Sequence, residues 1–162
     1  YDEKDDDFFE AYRFILPGYN VRPIEMAGAI GREQLKKLPG FILKRRKNLS
    51  IFQELFGNDE RFIIQKEYGK SSAFSFPLVL NPAQKPAREK ILNALKKASV
   101  EYRIITGGCF PRHDVIKYFD HEIASIDNAN IIHDYGLFLG NYPMDLTNEL
   151  YQAYDIMDAS FK

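Results

Sequence analysis

The sequence has little cysteine, no surplus of charge and no long apolar run, and each shortage excludes a class of protein. Its single cysteine, Cys109, excludes an internal disulfide and a cysteine-based zinc site, and is consistent with a cytoplasmic location. The 22 basic and 23 acidic side chains nearly cancel, which argues against a nucleic-acid partner. No stretch approaches the roughly 18 apolar residues of a membrane span, so no membrane partner is predicted.

What the chain does contain is apolar bulk. Of its 162 residues, 45% are hydrophobic, including 13 Phe and 10 Tyr. This composition excludes disorder and predicts one soluble domain with its own core. The chain opens at Tyr1, without an initiator Met and on an acidic run over 2–7, so we expect residues to be missing upstream.

Two kinds of apolar spacing recur along the chain. Helical spacing predicts helices over 23–38, 41–56, 82–98, 113–119, 126–135 and from about 145. The Pro39-Gly40 pair is expected to separate the first two helices. Strand patterns predict strands over 62–65, 73–80, 101–106 and 137–139. Because helices and strands do not alternate cleanly, we predict an α+β layer in which helices cover a small sheet.

Self-contained catalytic motifs are absent from the sequence. It has no phosphate-binding Walker loop, no dinucleotide-binding glycine motif and no metalloprotease H-E-x-x-H. The histidines His113, His121 and His133 lie 8 and 12 residues apart, which is not the spacing of a metal pair on a helix, so no metal site is predicted. We interpret the basic run 44–47 as a solvated helix face.

Residues 18–23 carry a physical argument for ligand binding, because they come directly before a predicted helix start. Free N–H groups and the positive end of the helix dipole attract an anion at such a position. Asn20 adds an amide donor, and Arg22 adds a planar guanidinium that can bind two phosphate oxygens. Spacing alone leaves open the alternative that Asn20 closes a turn and Arg22 pairs with Glu25.

Residues 14–38 also resemble a known signature. The segments FILPGYNVRPIEMAGAIG and QLKKL are similar to the GYNxR…AAxGxxQL pattern of the DegT-type family of pyridoxal-phosphate-dependent nucleotide-sugar enzymes. Further similarity follows in family order at 45–48, 72–76, 107–110 and 140–147, so the resemblance covers nearly the whole chain. The first segment is most similar to a branch of 3-dehydratases acting on GDP-4-keto-6-deoxymannose, and sugar aminotransferases share most of it.

The resemblance implies an α+β (α/β) fold, namely the C-terminal small domain of a fold-type I enzyme with a mostly antiparallel sheet. It assigns 1–38 to the end of the large domain that binds pyridoxal 5'-phosphate (PLP), and 39–162 to the small domain. It further implies a nucleotide-sugar substrate, a homodimer with a shared active site, and a role in deoxysugar and O-antigen polysaccharide biosynthesis as an aminotransferase or a 3-dehydratase. The cofactor-bearing lysine, or the histidine that replaces it in dehydratases, belongs to an upstream motif without a match here. We therefore expect no catalytic residue in this chain and no activity from it alone.

Individual site residues follow from the same resemblance. Asn20 matches the family asparagine that reaches across the dimer to the cofactor phosphate, and Arg22 matches its frequent basic companion. Arg112 and His113 lie in a region that faces the sugar nucleotide in the family, which makes them candidates for substrate contacts. The small-residue run 27–31 is expected to pack against the large domain or the partner subunit. The competing hypothesis is a free-standing, non-catalytic α+β domain that binds a partner or a phosphate ligand.

Overall fold

The computed structural model describes residues 13–19 and 24–162. Its α-helices are α1 (Glu25–Phe56), α2 (Arg88–Lys97), α3 (Asp127–Tyr135) and α4 (Thr147–Phe161), and its strands are β1 (Phe62–Ile64), β2 (Ser75–Leu80), β3 (Tyr102–Arg103) and β4 (Gly136–Gly140). Short 3-10 turns occupy Pro82–Gln84, Ile105–Gly107, Phe110–Arg112 and Asp114–Tyr118. None of the helices in the described ranges has the length and apolar character needed to cross a bilayer.

The strands form one antiparallel sheet in the order β1-β2-β4-β3. Phe76 lies opposite Leu139, and Leu78 lies opposite Leu137. Since side chains alternate along a strand, these four buried residues share one face of the sheet. The helices cover a small antiparallel sheet, and the predicted α+β class is confirmed.

The core lies between the sheet and the helices α1, α2 and α4. Phe52 stacks on Phe56 of its own helix at 4.8 Å between ring centroids and on Phe76 of the sheet at 5.0 Å. Leu95 of α2 and Met157 of α4 complete the cluster and are fully buried. Each such side chain contributes about 1.5–3 kcal/mol on burial, so this cluster fixes the sheet against the helices.

Helix α1 is continuous through Pro39, so the predicted interruption at Pro39-Gly40 is wrong. A proline removes a single helical hydrogen bond, and the turns on both sides of it continue the helix. The two halves of α1 differ in burial: every residue over 24–40 is exposed, whereas Asn48, Phe52 and Phe56 are buried. The first half therefore extends beyond the core that holds the second half.

Residues with positive φ explain why two predicted elements are shorter in the structure. Lys85, with φ of +48°, separates the 3-10 turn at Pro82–Gln84 from α2, which delays the predicted helix. Thr106 has φ of +45°, and Gly107 and Gly108 both have φ of +78°. Positive φ from Thr106 onward cannot continue a strand, so the predicted strand over 101–106 cannot extend to Thr106, and a tight turn follows. The strand itself is limited to Tyr102–Arg103.

Candidate functional site

The predicted anion site precedes helix α1, and its two named residues, Asn20 and Arg22, lie outside the described residues. The described part begins again at Ile24, which occupies the N-cap position of α1. The Ile24 side chain has no polar atom, so it cannot pair the free N–H groups of the first helical turn. The chemistry of this helix end therefore suits an anion, although Glu25 places one acidic side chain in the first turn.

The segment that leads to Asn20 is attached to the domain at Phe14. The Phe14 N–H donates to Nδ1 of His113 at 3.1 Å, and the Val115 N–H donates to the Phe14 carbonyl at 3.0 Å. Beside them, Nε of Arg13 donates to Oδ2 of Asp114 at 3.0 Å. We call these contacts, between residues 13–14 and residues 113–115, the Phe14 clamp.

His113 lies at the centre of this clamp, and 2% of its surface is exposed. Because Nδ1 accepts from the Phe14 N–H, Nε2 carries the ring proton and donates it to the Gly107 carbonyl at 2.7 Å. The imidazole also packs against the rings of Phe14 and Phe110, at centroid distances of 5.0 and 5.9 Å. The histidine thus joins the Phe14 segment to the glycine turn.

The turn at Gly107 and Gly108 has no room for a side chain. A Cβ on Gly107 would lie 3.0 Å from Cε2 of Phe14, and one on Gly108 would lie 2.3 Å from Nδ1 of His133. That nitrogen accepts a hydrogen bond from the Cys109 N–H at 3.0 Å. A histidine therefore binds the backbone of the turn on each side. Glycine is required at both positions because a side chain would clash there and because φ is positive.

His133 and Cys109 are both buried. Burial lowers the pKa of His133 below its usual value of 6.5, and the positive charge of Arg112 lowers it further. The neutral ring is therefore favoured, which keeps Nδ1 available as an acceptor. This histidine has a structural role in the turn.

Arg112 and His113 are adjacent in the sequence and face different environments. The Arg112 side chain is 43% exposed and pairs with Asp134 at 2.7 Å. A guanidinium in such a half-exposed pair can exchange its partner for another anion at little cost, because surface ion pairs contribute only about 0–1 kcal/mol. His113 is enclosed, and both of its nitrogens have partners within the chain. Contacts of either residue with a sugar nucleotide stay predictions.

The sequence patterns did not single out Phe14 as a site residue. Its hydrogen-bond partner His113 lies 99 positions away, so no local spacing could indicate the contact. The adjacent glycines at 107 and 108 were the available signal, because paired positive-φ positions mark a turn built around close neighbours.

A broad groove of about 1710 Å³ runs along the sheet, and its lining is mostly apolar. It includes Phe74, which is 69% exposed, and Phe138 of β4. Nε of Arg45 is buried at its edge without a hydrogen-bond partner among the described residues. In the same described ranges, no group of three or more His, Cys, Asp or Glu side chains could hold a metal ion.

Comparison with known proteins relates this geometry to one family. A sequence model of the DegT/DnrJ/EryC1/StrS aminotransferase family matches residues 2–156. Over 154 residues the chain is 46% identical to the GDP-4-keto-6-deoxy-D-mannose 3-dehydratase of Yersinia pseudotuberculosis, which covers 94% of this chain and 39% of that protein.

Solved structures give the same relation. The E. coli GDP-4-keto-6-deoxy-D-mannose-3-dehydratase with bound hydrated PLP has a TM-score of 0.80 and 41% identity, covering 96% of this chain and 40% of that one. A GDP-4-keto-6-deoxymannose-3-dehydratase variant with bound GDP-perosamine has a TM-score of 0.79 and 41% identity, covering 96% and 41%. The chain thus spans about two fifths of the length of these relatives.

Proposed function

The chain belongs to the DegT/DnrJ/EryC1/StrS aminotransferase family, as the sequence resemblance indicated, and from this premise we propose a function. In this proposal the chain is the C-terminal part of a PLP-dependent enzyme. The enzyme removes the C3 hydroxyl from GDP-4-keto-6-deoxymannose, in deoxysugar and O-antigen biosynthesis. The observation that carries the proposal is the 46% identity to a 3-dehydratase of that substrate over 94% of the chain. A cytoplasmic location is part of the proposal.

The proposed organisation assigns residues 1–38 to the large PLP-binding domain and 39–162 to the small domain. Burial supports it, because residues 24–40 are exposed throughout whereas the core begins to enclose α1 after Gly40. Apolar side chains on the exposed half, such as Met26 at 69% and Ile30 at 62%, fit a surface that a partner subunit or the large domain covers. The helix itself continues across the proposed boundary.

The proposed cofactor fits the chemistry at the start of α1. Asn20 and Arg22 would hold the PLP phosphate with an amide and a guanidinium, beside N–H groups that the Ile24 side chain cannot cap. When bound, PLP supplies the electron sink on which the sugar chemistry depends. The contribution of this chain is to hold and orient the phosphate, while the reacting lysine or histidine lies outside its residues.

The proposed substrate contacts involve Arg112 and His113. Arg112 presents a half-exposed guanidinium that can bind a phosphate or a sugar hydroxyl after leaving Asp134. His113 can contribute indirectly, by holding the backbone of the turn beside Arg112, since its Nε2 binds the Gly107 carbonyl.

Amine transfer is the second candidate reaction, because the matching family model describes aminotransferases. The two reactions give different products from one substrate. Dehydration leaves the 4-keto group and removes the oxygen at C3, whereas transfer places an amine at C4 and keeps the C3 hydroxyl.

The test uses the full-length protein with PLP, an amino-acid donor and GDP-4-keto-6-deoxymannose, and mass spectrometry of the nucleotide sugar. We expect a product without the C3 oxygen. A 4-amino product would replace this proposal with the second candidate. If neither product forms and PLP does not bind, the chain is a non-catalytic domain.

The cofactor contact is tested separately with Asn20→Ala. Loss of a hydrogen bond to a charged group costs about 1.5–3 kcal/mol, so PLP affinity should fall about 10- to 150-fold. The matched control is Asn58→Ala, which changes an exposed asparagine after the other end of α1 and should leave the affinity unaltered. Equal affinities for the two variants would contradict the assignment.

A further inference from the structure

We propose that His113 is a positioning residue for PLP binding, and that it acts through the backbone of Phe14. The inference rests on the proposed function, because it takes the segment that follows Phe14 to be the one that binds the cofactor phosphate. It adds a residue outside that segment and gives it a defined task. The task is to fix the point at which the segment is attached to the small domain.

The contacts of the ring support this task. One nitrogen accepts from the Phe14 N–H at 3.1 Å, and the other donates to the Gly107 carbonyl at 2.7 Å. Both bonds belong to a ring that is 2% exposed, so a lost partner cannot be replaced easily by water. His113 therefore connects Phe14 to the turn at Gly107 and Gly108, where an added Cβ would lie 3.0 Å from the Phe14 ring or 2.3 Å from the His133 ring.

Phe14 is the attachment point of its segment. Its N–H and its carbonyl both bond to the region 113–115, and Arg13 adds an ion pair with Asp114. Residues 16–19 are exposed, up to 98% at Tyr19. In the described part of the chain, the Phe14 clamp thus holds the last backbone hydrogen bonds before Asn20.

Two substitutions separate the two bonds of the ring. The amide of asparagine reaches as far along the side chain as Nδ1 of histidine, and the amide of glutamine reaches as far as Nε2. His113→Asn can therefore keep an acceptor for the Phe14 N–H, whereas His113→Gln can keep only the donor to the Gly107 carbonyl. Each variant loses one hydrogen bond, so their melting temperatures should fall by similar amounts.

The affinity for PLP should distinguish them in the full-length protein. We expect His113→Asn to bind PLP within about twofold of the parent, and His113→Gln to bind it about three- to tenfold more weakly. Phe14→Pro removes the same donor together with the Phe14 ring, which packs on His113 and Phe110, so it should weaken PLP binding at least as much and serves if His113→Gln does not fold. His133→Gln is the control, because it loses the bond from the Cys109 N–H on the other side of the turn and does not face Phe14.

Each outcome has a defined meaning. Equal PLP affinities for His113→Asn and His113→Gln, or equal losses in His113→Gln and His133→Gln, would overturn the inference. So would an unchanged PLP affinity with a raised KM for the nucleotide sugar, since that pattern indicates that His113 serves substrate binding, by contact or through the turn beside Arg112, and not cofactor binding. If Asn20→Ala weakens PLP binding and His113→Gln does not, only the positioning role fails. If no variant or parent binds PLP, the proposed function fails as well.

Discussion

The side chains of Asn48 and Asn141 are joined by a hydrogen bond of 3.1 Å between two fully buried amides. Asn48 also donates to the Met144 carbonyl at 2.8 Å and accepts from the Leu146 N–H at 3.2 Å. Asn141 donates to the Ala73 carbonyl at 2.8 Å. The pair therefore attaches helix α1 to the loop after β4 and to the entry of β2, with its polar atoms satisfied.

Replacing Asn48 by Leu should lower the free energy of unfolding by about 2–4 kcal/mol, because it leaves the buried Asn141 amide oxygen, the Met144 carbonyl and the Leu146 N–H without their partner. Urea unfolding measures the change. Asn58→Leu, at an exposed position, should stay within about 0.5 kcal/mol of the parent. Equal losses of unfolding free energy in the two variants would show that the buried Asn48–Asn141 pair contributes no more to stability than an exposed asparagine.

Replacing Asp59 by Asn should cost about 1–3 kcal/mol at neutral pH. Asp59 accepts from Nε of Arg61 at 2.9 Å and from the Tyr154 hydroxyl at 2.9 Å, and Arg61 reaches on to Asp158 of α4 at 2.7 Å. The guanidinium lowers the pKa of Asp59 to about 2 from 3.8, so this contribution is complete above 3.8 and is lost as the pH falls through 2.

The pH dependence of unfolding checks the Asp59 prediction. The parent should lose stability between pH 4 and pH 2 more steeply than Asp59→Asn, because only the parent carries the paired carboxylate. Asp155→Asn, on the exposed side of α4, is the matched control and should follow the parent. Parallel curves for the parent and Asp59→Asn would contradict the pairing.

His133 should make the protein less stable below pH 6.5. Burial lowers its pKa in the folded state below the 6.5 of an exposed histidine, so the unfolded chain binds the proton more readily. Its contribution to stability is therefore constant above pH 6.5 and falls below it, by at most about 1.4 kcal/mol per pH unit. Urea unfolding between pH 8 and pH 5 should show a flatter profile for His133→Asn. A constant difference between the two proteins would refute this.

Replacing Gly108 by Ala should destabilise the fold by about 2 kcal/mol or more. The new Cβ would lie 2.3 Å from Nδ1 of His133, at a backbone φ of +78° that favours glycine. The contrasting change is Gly40→Ala in α1, outside the small-residue run 27–31, where the Cβ meets nothing within 4 Å and helix propensity should add up to about 1 kcal/mol. Thermal unfolding of both variants should shift in opposite directions, and a shared direction would count against the steric account.

Apolar spacing predicted the fold well because the buried side chains recur at the spacing of the helix or strand that carries them. Within the predicted helices, the apolar residues Phe52, Leu95 and Met157 are buried, and the predicted strands pair within one sheet. The prediction at Pro39 was wrong for a physical reason. The rule that a Pro-Gly pair ends a helix considers those residues alone. Helix formation is cooperative, and the second half of α1 is held in the core, so the helix continues through Pro39.

Less of the candidate site could be predicted from spacing. The sequence places His113 next to Arg112, but the direction of its ring is decided by Phe14, which is 99 positions away. A contact of that range has no local period, and only the glycines at 107 and 108 indicated that something packs closely there. Asn20 and Arg22 lie outside the described residues, so their roles are still predictions.

The unbroken course of helix α1 has a mechanical consequence. Its 32 residues span about 48 Å, and about half of that length extends beyond the core. A rotation of the core by roughly 10° would carry the tip at Glu25 through about 4 Å, which exceeds the length of a hydrogen bond. A given rotation of the core therefore displaces the beginning of the helix farther than any residue of the core, because the displacement grows with the distance from the core.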